Sequence, residues 1–124
     1  MAVFQTKPFA RWAKKVGLQD HELYDAAQEV AAGQTEANLG GNVYKKRVAL
    51  PGGGKSGGSR ILIAVRKNSH SFFLYGFEKN ERSNISANEL STLKSVAKVW
   101  LSLSAARLKS ALKSGNIKEV KQDE

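Results

Sequence analysis

The sequence predicts an α+β fold: a small antiparallel sheet of three to four strands, with two N-terminal helices and a long C-terminal helix. Three observations support this prediction. Apolar residues recur at helical spacing in the first third of the chain, they alternate with polar residues in the middle third, and a helix-capping motif opens the last third. A chain of 124 residues can bury one substantial core, so we expect a single domain over residues 1–124.

The N-terminal third combines a short strand with two helices. Residues 3–5 have weak strand character, and Pro8 suits the first turn of the helix that follows. This helix is expected to end at Gly17, and a second helix is expected to start from a cap at Asp20 and end at Gly33. The apolar face of the first helix comprises Phe9, Trp12, Ala13 and Val16, and that of the second comprises Leu23, Ala27, Val30 and Ala31.

The middle third contains three alternating or apolar runs, at residues 43–50, 60–66 and 71–77. The first two runs place cations on one face and apolar side chains on the other, whereas the third is apolar on both faces and is therefore the central strand. Neighbouring strands lie about 4.8 Å apart, so we expect the cations of the first two to share one exposed surface of the sheet. Alanine at Lys45, Arg47 or Arg60 should then leave the fold almost unchanged. The cations are Lys45, Arg47, Arg60 and Arg66.

The last third is predicted to be helical. Ser86 and Glu89 have the spacing of a capping box, and an apolar stripe follows from Leu90 onward. We expect one long helix over about residues 87–114, and a frayed tail over residues 116–124.

Composition excludes several classes of function. The chain has no cysteine and only two histidines, so thiol nucleophiles, disulfides and zinc centres are not expected, and we expect neither cofactor nor metal. Uncharged stretches such as residues 99–106 are far shorter than a membrane span, and the N-terminus lacks the pattern of a secretory signal. A cytoplasmic protein is the expectation.

The positive charge is concentrated in the middle of the chain. The formal net charge is +9, and residues 43–82 hold nine basic and two acidic side chains. A general solubilising surface would spread these charges, whereas their concentration favours a polyanionic partner.

The glycine-rich segment 51–59 does not have the pattern of a nucleotide-binding P-loop. Such a loop needs a glycine where Ala49 stands and a helix where the strand from Arg60 begins. Two interpretations remain: a flexible hairpin connection, or a loop whose backbone N–H groups and Lys55 approach a phosphate closely.

Three segments, residues 43–47, 55–64 and 73–85, resemble the RelE-like toxins of the RelE/ParE superfamily in bacterial type II toxin–antitoxin modules. The resemblance implies a RelE-like domain that enters the ribosomal A site, cleaves messenger RNA and is held inactive by a cognate antitoxin. We expect the antitoxin to carry a helix-turn-helix domain and the free toxin to be a monomer. Asn80 and Ser86 depart from the family pattern, in which many members carry arginine and tyrosine there.

Metal-independent RNA cleavage requires that the 2′-OH attack its own phosphate, with one group taking a proton and another giving one. The basic segment has no paired acids, so cations must carry the reaction. Lys45 is the expected base, because neighbouring cations favour its neutral form; Arg47 and Arg60 stabilise the phosphorane; Lys79 or Tyr75 is the acid. For Tyr75, a core aromatic role is the alternative. Further RNA contacts are expected from Lys46, Lys55, Arg66 and Arg82.

Two other functions remain open at this point. The chain could be a topoisomerase inhibitor of the ParE-like branch, or a catalytically inactive relative that binds nucleic acid. The basic set favours RNA cleavage, because ParE-like proteins tend to lack it.

Overall fold

The structure is a computed structural model that describes residues 1–51, 58–66 and 68–122. Within these residues the chain forms four helices, α1 (Lys7–Val16), α2 (Asp20–Ala31), α3 (Ala87–Leu101) and α4 (Ala105–Ser114). The strands are β1 (Val3–Thr6), β2 (Ala37–Gly40), β3 (Val43–Val48), β4 (Ser59–Val65), β5 (Ser71–Glu78) and β6 (Ile117–Glu119). None of the helices in this described part of the chain is long and apolar enough to cross a membrane.

The six strands form one mixed sheet in the order β2-β3-β4-β5-β1-β6. The α+β class is confirmed, and so is the central place of β5, but the prediction of three to four antiparallel strands is wrong. Strand β1 runs parallel to β5, with Val3 opposite Ser71, while the other neighbouring pairs are antiparallel. Turn signals reveal only pairings between consecutive strands, so this parallel pair is not visible in the local sequence.

The first edge strand, β2, was not predicted. It joins β3 through the two residues Gly41 and Asn42, which have φ values of 62° and 64°. Two positive φ values in a two-residue connection are typical of a type I′ hairpin turn, and glycine and asparagine adopt them at low cost. The Gly-Asn pair was therefore a usable signal for this hairpin.

At the other edge of the sheet, the tail that was predicted to be frayed forms strand β6, so that prediction is wrong. Ile117 and Val120 are each 1% exposed, and the Val120 N–H donates to the Val3 carbonyl at 2.8 Å. Asp20 contributes as well: the α2 cap is Gln19 rather than Asp20, and the Asp20 carboxylate accepts a hydrogen bond from the Lys121 N–H at 3.0 Å. Two apolar residues in a polar tail give too weak a pattern to predict a strand, and tertiary burial decides it.

The predicted long C-terminal helix is wrong because it is divided between Ser102 and Ser104. Ser104 is the N-cap of α4, and its hydroxyl accepts a hydrogen bond from the Arg107 N–H at 3.2 Å. The predicted cap of α3 is confirmed: the Ser86 hydroxyl and the Glu89 carboxylate each accept a backbone N–H of the other residue. A serine cap restarts a helix in a new direction even where the apolar period continues, which the periodicity alone does not reveal.

Helices cover both faces of the sheet. On one face, α1 and α2 pack over Ile61, Ile63 and Val65, and on the other, α3 and α4 pack over Leu62 and Ala64. Strand β4 is consequently buried along its whole length. The functional side chains of β4 can therefore reach the surface only near the two ends of this strand.

Helix α1 approaches the sheet closely at Gly76, and this contact predicts a stability effect. A Cβ on Gly76 would lie 2.3 Å from the Trp12 ring. We expect Gly76→Ala to lower the free energy of unfolding by about 1–3 kcal/mol, because the ring must move out of its packed position. Urea denaturation measures the loss.

A matched background checks the cause. In a Trp12→Leu variant, which opens space above Gly76, the additional cost of Gly76→Ala should shrink. An equal cost in both backgrounds would contradict the proposed clash.

Candidate functional site

The register of β3 and β4 gathers three of the predicted catalytic cations at one end of the sheet. Arg47 lies opposite Arg60, and Lys45 lies opposite Leu62 in the next cross-strand row. Opposed residues of an antiparallel pair point to the same face, so Lys45, Arg47 and Arg60 share the face that α3 covers. Tyr75 continues the Lys45 row on β5, since it lies opposite Leu62.

A carboxylate that was absent from the sequence prediction lies between two of these cations. Glu36 Oε1 is 2.5 Å from Arg60 Nε, and Glu36 Oε2 is 3.6 Å from Lys45 Nζ. The Glu36 N–H donates to the Lys45 carbonyl at 2.8 Å, which fixes the backbone beneath this contact. Glu36 immediately precedes β2, so recognition of the hairpin from Gly41 and Asn42 would have placed it beside Lys45.

Arg60 is more enclosed than the sequence predicts. The residue is only 9% exposed, and its Nη1 donates to the Ser59 carbonyl at 3.4 Å in addition to the contact with Glu36. The expectation that alanine at Arg60 would leave the fold unchanged is therefore wrong, because removal of Arg60 leaves the Glu36 carboxylate without this counter-charge. Arg47, by contrast, is exposed.

Lys46 points to the opposite face of the sheet. Its Nζ lies 2.9 Å from Glu29 Oε1 on α2 and donates to the Gln34 carbonyl at 3.1 Å. These contacts tie β3 to the end of α2. Lys46 is therefore not brought together with Lys45 and Arg47.

The segment after β5 carries two predicted functional cations in a folded loop. The Lys79 N–H donates to the Gly58 carbonyl at 3.0 Å, and Lys79 Nζ donates to the Ser83 carbonyl at the same distance. Arg82 Nη1 donates to the Tyr75 hydroxyl at 3.2 Å. Since that hydroxyl acts as an acceptor here, its own hydrogen remains available for donation.

Arg82 and Glu89 form a two-pronged ion pair that ties this loop to α3. Nη1 lies 3.0 Å from Glu89 Oε2, and Nη2 lies 2.6 Å from Oε1. The hydrogen bond from Arg82, followed by the one from the Ser86 N–H, lowers the pKa of Glu89 to about 2. The same pair raises the pKa of Arg82. Arg82 thus has a structural partner, which the sequence prediction of an RNA contact did not include.

Two predicted contacts lie apart from this site. Lys55 falls outside the described residues. Arg66 follows the opposite end of β4 from Arg60, about 20 Å away at the usual rise of a strand, and its Nη1 donates to the Leu101 carbonyl at 3.3 Å. The four-cation surface predicted from the sequence is therefore divided into a group of three and Arg66.

Comparison with known protein families adds a second line of argument. The family described as "RelE toxin of RelE / RelB toxin-antitoxin system" matches residues 1–120. The chain belongs to the RelE toxin family. The match takes in every helix and strand of the fold as well as the cationic cluster and Glu36.

Membership of the RelE family establishes the resemblance noted from residues 43–85 and gives the chain a general role. It is the toxin of a toxin–antitoxin system, and the family implies an antitoxin partner. RelE-family toxins are generally endoribonucleases. Membership does not by itself assign a role to any side chain.

The ion pair between Arg82 and Glu89 predicts a pH-dependent contribution to stability. The pKa of Glu89 falls from its ordinary 4.5 to about 2 on folding, so the contribution is complete above pH 4.5 and is lost as the pH falls through 2. We expect Glu89→Gln to lower the urea midpoint of this RelE toxin at pH 7, and the difference from the wild type to shrink below pH 4.5. Glutamine keeps one acceptor oxygen, which the Ser86 N–H can use, whereas its NH2 group cannot accept from Arg82, so the variant removes the charge and one prong of the ion pair.

Glu81→Gln is the control, since Glu81 is exposed in the same loop and has no ion pair among the described residues. It should change the midpoint little at any pH. A Glu89→Gln effect of constant size between pH 7 and pH 2 would contradict the assigned cause.

Proposed function

We propose that this chain is a ribosome-dependent messenger RNA endoribonuclease that inhibits translation in the cytoplasm. The observation that carries the proposal is the cluster of Lys45, Arg47 and Arg60 at one end of the sheet, in which the Glu36 carboxylate contacts Lys45 and Arg60. Its substrate is messenger RNA in the ribosomal A site, and a cognate antitoxin with a helix-turn-helix domain inhibits the monomeric toxin. Family membership supports the reaction class.

The proposed reaction needs no metal. The 2′-oxygen loses its proton and bonds to the adjacent phosphorus, the bond from phosphorus to the 5′-oxygen breaks, and that oxygen gains a proton. The products are a 2′,3′-cyclic phosphate and a free 5′-OH. The protein must therefore supply an acceptor, a donor and positive charge at the phosphorane.

Arg47 and Arg60 supply the positive charge. Arg60 is held in one orientation by Glu36, so its fork of donors is preorganised, and the exposed Arg47 on the neighbouring strand is accessible to substrate. Preorganised donors stabilise developing negative charge without reorganising during the reaction.

Two side chains compete for the role of proton acceptor. Lys45 is the acceptor predicted from the sequence. The structure adds Glu36, whose Oε2 lies 3.6 Å from Lys45 Nζ, and a carboxylate has only acceptor oxygens whereas an ammonium group has only donors. We assign the acceptor role to Glu36.

The donor is Tyr75 or Lys79. Tyr75 shares the cross-strand row of Lys45, and Arg82 donates to its hydroxyl, which orients the phenol and leaves its own hydrogen available for donation. Lys79 uses one of its three hydrogens on the Ser83 carbonyl and keeps the others free. Lys46, Lys55, Arg66 and Arg82 complete the proposal as RNA contacts.

Loss of the stabilising cations tests the proposal. We expect Arg47→Ala and Arg60→Lys each to lower the rate of ribosome-dependent cleavage about 10²–10³-fold and to relieve growth arrest, because each removes guanidinium donors from the phosphorane. The Arg60 variant keeps a charge beside Glu36, which limits damage to the fold. Mapping of transcript 5′ ends measures cleavage, and urea denaturation measures folding.

Lys109→Ala on α4 is the control, since Lys109 is exposed and lies on a different element. It should remain toxic. Near wild-type cleavage by both arginine variants would contradict the proposed cationic site. Growth arrest with intact transcripts and damaged DNA would indicate topoisomerase inhibition instead.

A pair of isosteric or charge-preserving variants identifies the acceptor. Lys45→Arg keeps the cation but cannot accept a proton, whereas Glu36→Gln keeps the shape but loses basicity. We expect Lys45→Arg to retain most of the cleavage rate and Glu36→Gln to lower it about 10²–10⁴-fold, with loss of the acidic limb of the pH–rate profile. The reverse result, a loss in Lys45→Arg alone, would assign the acceptor to Lys45.

A further inference from the structure

A second cationic recess lies at the far end of β4, away from the cluster around Glu36. It has a volume of about 470 Å³ and is formed by α3, the β2–β3 turn and the end of β4. Three cations line it, together with two serine hydroxyls. These side chains are Arg66, Lys94, Lys98, Ser91 and Ser95.

In the part of the chain that the structure describes, no carboxylate compensates the charges of this recess. None of its lining residues is acidic, and within residues 1–51, 58–66 and 68–122 no ion pair joins Arg66, Lys94 or Lys98 to a carboxylate. The other end of the sheet differs, since Glu36 neutralises part of the charge there. Cations that converge without a counter-charge repel one another, and an external anion relieves that repulsion.

The recess is also structurally defined. A Cβ on Gly40 would lie 3.3 Å from Lys94 Nζ, and one on Gly41 would lie 3.7 Å from the Lys94 stem, so this lysine packs over the glycine turn. The Val65 N–H donates to the Asn42 carbonyl at 2.9 Å and fastens the turn to β4. Lys98 follows one helical turn after Lys94 and so lies on the same side of α3.

Arg66 forms the third side of the recess, and its guanidinium group is held in a fixed orientation. Its Nη1 donates to the Leu101 carbonyl at 3.3 Å, which leaves the other guanidinium N–H groups for a ligand. Guanidinium and ammonium donors around one open recess match the oxygens of a phosphodiester, which accept several hydrogen bonds at once. Of the two serines, Ser95 already donates its hydroxyl hydrogen to the Ser91 carbonyl at 3.3 Å.

We propose that the recess of Arg66, Lys94 and Lys98 binds the phosphate backbone of RNA and holds it at a second point, about 20 Å from Arg60 by the rise of β4. The inference rests on the proposed function in taking RNA as the ligand. No bond is made or broken at this recess. It contributes binding energy and register, whereas the cluster around Glu36 carries the chemistry.

The test removes two charges from the recess and compares the result with two charges removed elsewhere. The variant is Lys94→Gln/Lys98→Gln, and the control is Lys109→Gln/Lys113→Gln, which has the same spacing on the exposed face of α4. Two probes separate the sources of the phosphate: a single-stranded 2′-O-methyl oligonucleotide of about 30 nucleotides, which cannot be cleaved, and bacterial small ribosomal subunits stripped of messenger.

We expect the recess variant to bind at least one probe about tenfold more weakly than the wild type and to show a salt dependence shallower by about one to two units of log–log slope. The control should change affinity less than about twofold. Loss with the oligonucleotide identifies messenger as the ligand, and loss with the subunits identifies ribosomal RNA.

Equal effects of the two double variants on both probes, or no binding of the wild type to either, would overturn the proposal, and the recess would then suit an acidic protein segment better. Cleavage is measured separately with Arg47→Ala and Arg60→Lys. If the recess variant loses RNA binding while the wild type cleaves nothing, the second site stands and the nuclease function fails. If the wild type cleaves and the recess variant binds normally, only the recess fails.

Discussion

The double-sided burial of β4 is the constraint on which the rest of the molecule depends. All seven residues of this strand are buried, because helices cover both faces of the sheet and β3 and β5 flank both edges. A strand enclosed in this way has no alternative register, since a shift by one residue would exchange the two apolar faces. Its register with β3 in turn sets Arg47 opposite Arg60 and Lys45 one row away.

The two ends of β4 show two ways of accommodating positive charge. At one end, Arg60 is enclosed and shares the Glu36 carboxylate with Lys45. At the other, Arg66, Lys94 and Lys98 surround an open recess without a carboxylate among its lining residues. The preorganised guanidinium of Arg60 at the first end suits stabilisation of a transition state. The accessible cations at the second end suit reversible binding to a nucleic-acid backbone, which carries one charge per nucleotide.

The elements that depend on local sequence were predictable. Helix α1 ends at Gly17 in the left-handed conformation, and α3 begins at the capping box of Ser86 and Glu89. Strands β3 and β4 follow alternating patterns and β5 follows an apolar run, because each signal acts within a few residues. The cationic cluster followed from strand alternation alone.

The remaining elements depend on contacts between distant parts of the chain. Strand β6 forms because Ile117 is buried, and β1 is parallel because it pairs with β5. A serine cap separates α3 from α4 although the apolar period continues across the break. Glu36 was missed because β2 was missed, and the site was consequently interpreted as purely cationic. An error in one edge strand thus became an error in the charge of the site.

The position of β1 has a consequence for the biosynthesis of the toxin. This strand is synthesised before both of its neighbours in the sheet, β5 and β6, and Phe4 pairs with Glu119. Chain synthesis proceeds at about 5–20 residues per second, so β1 waits several seconds for its last partner, and such long-range pairings also fold slowly. The sheet is closed only after β6 has been added, so any activity that needs the finished sheet is delayed by the time that separates the synthesis of the two strands.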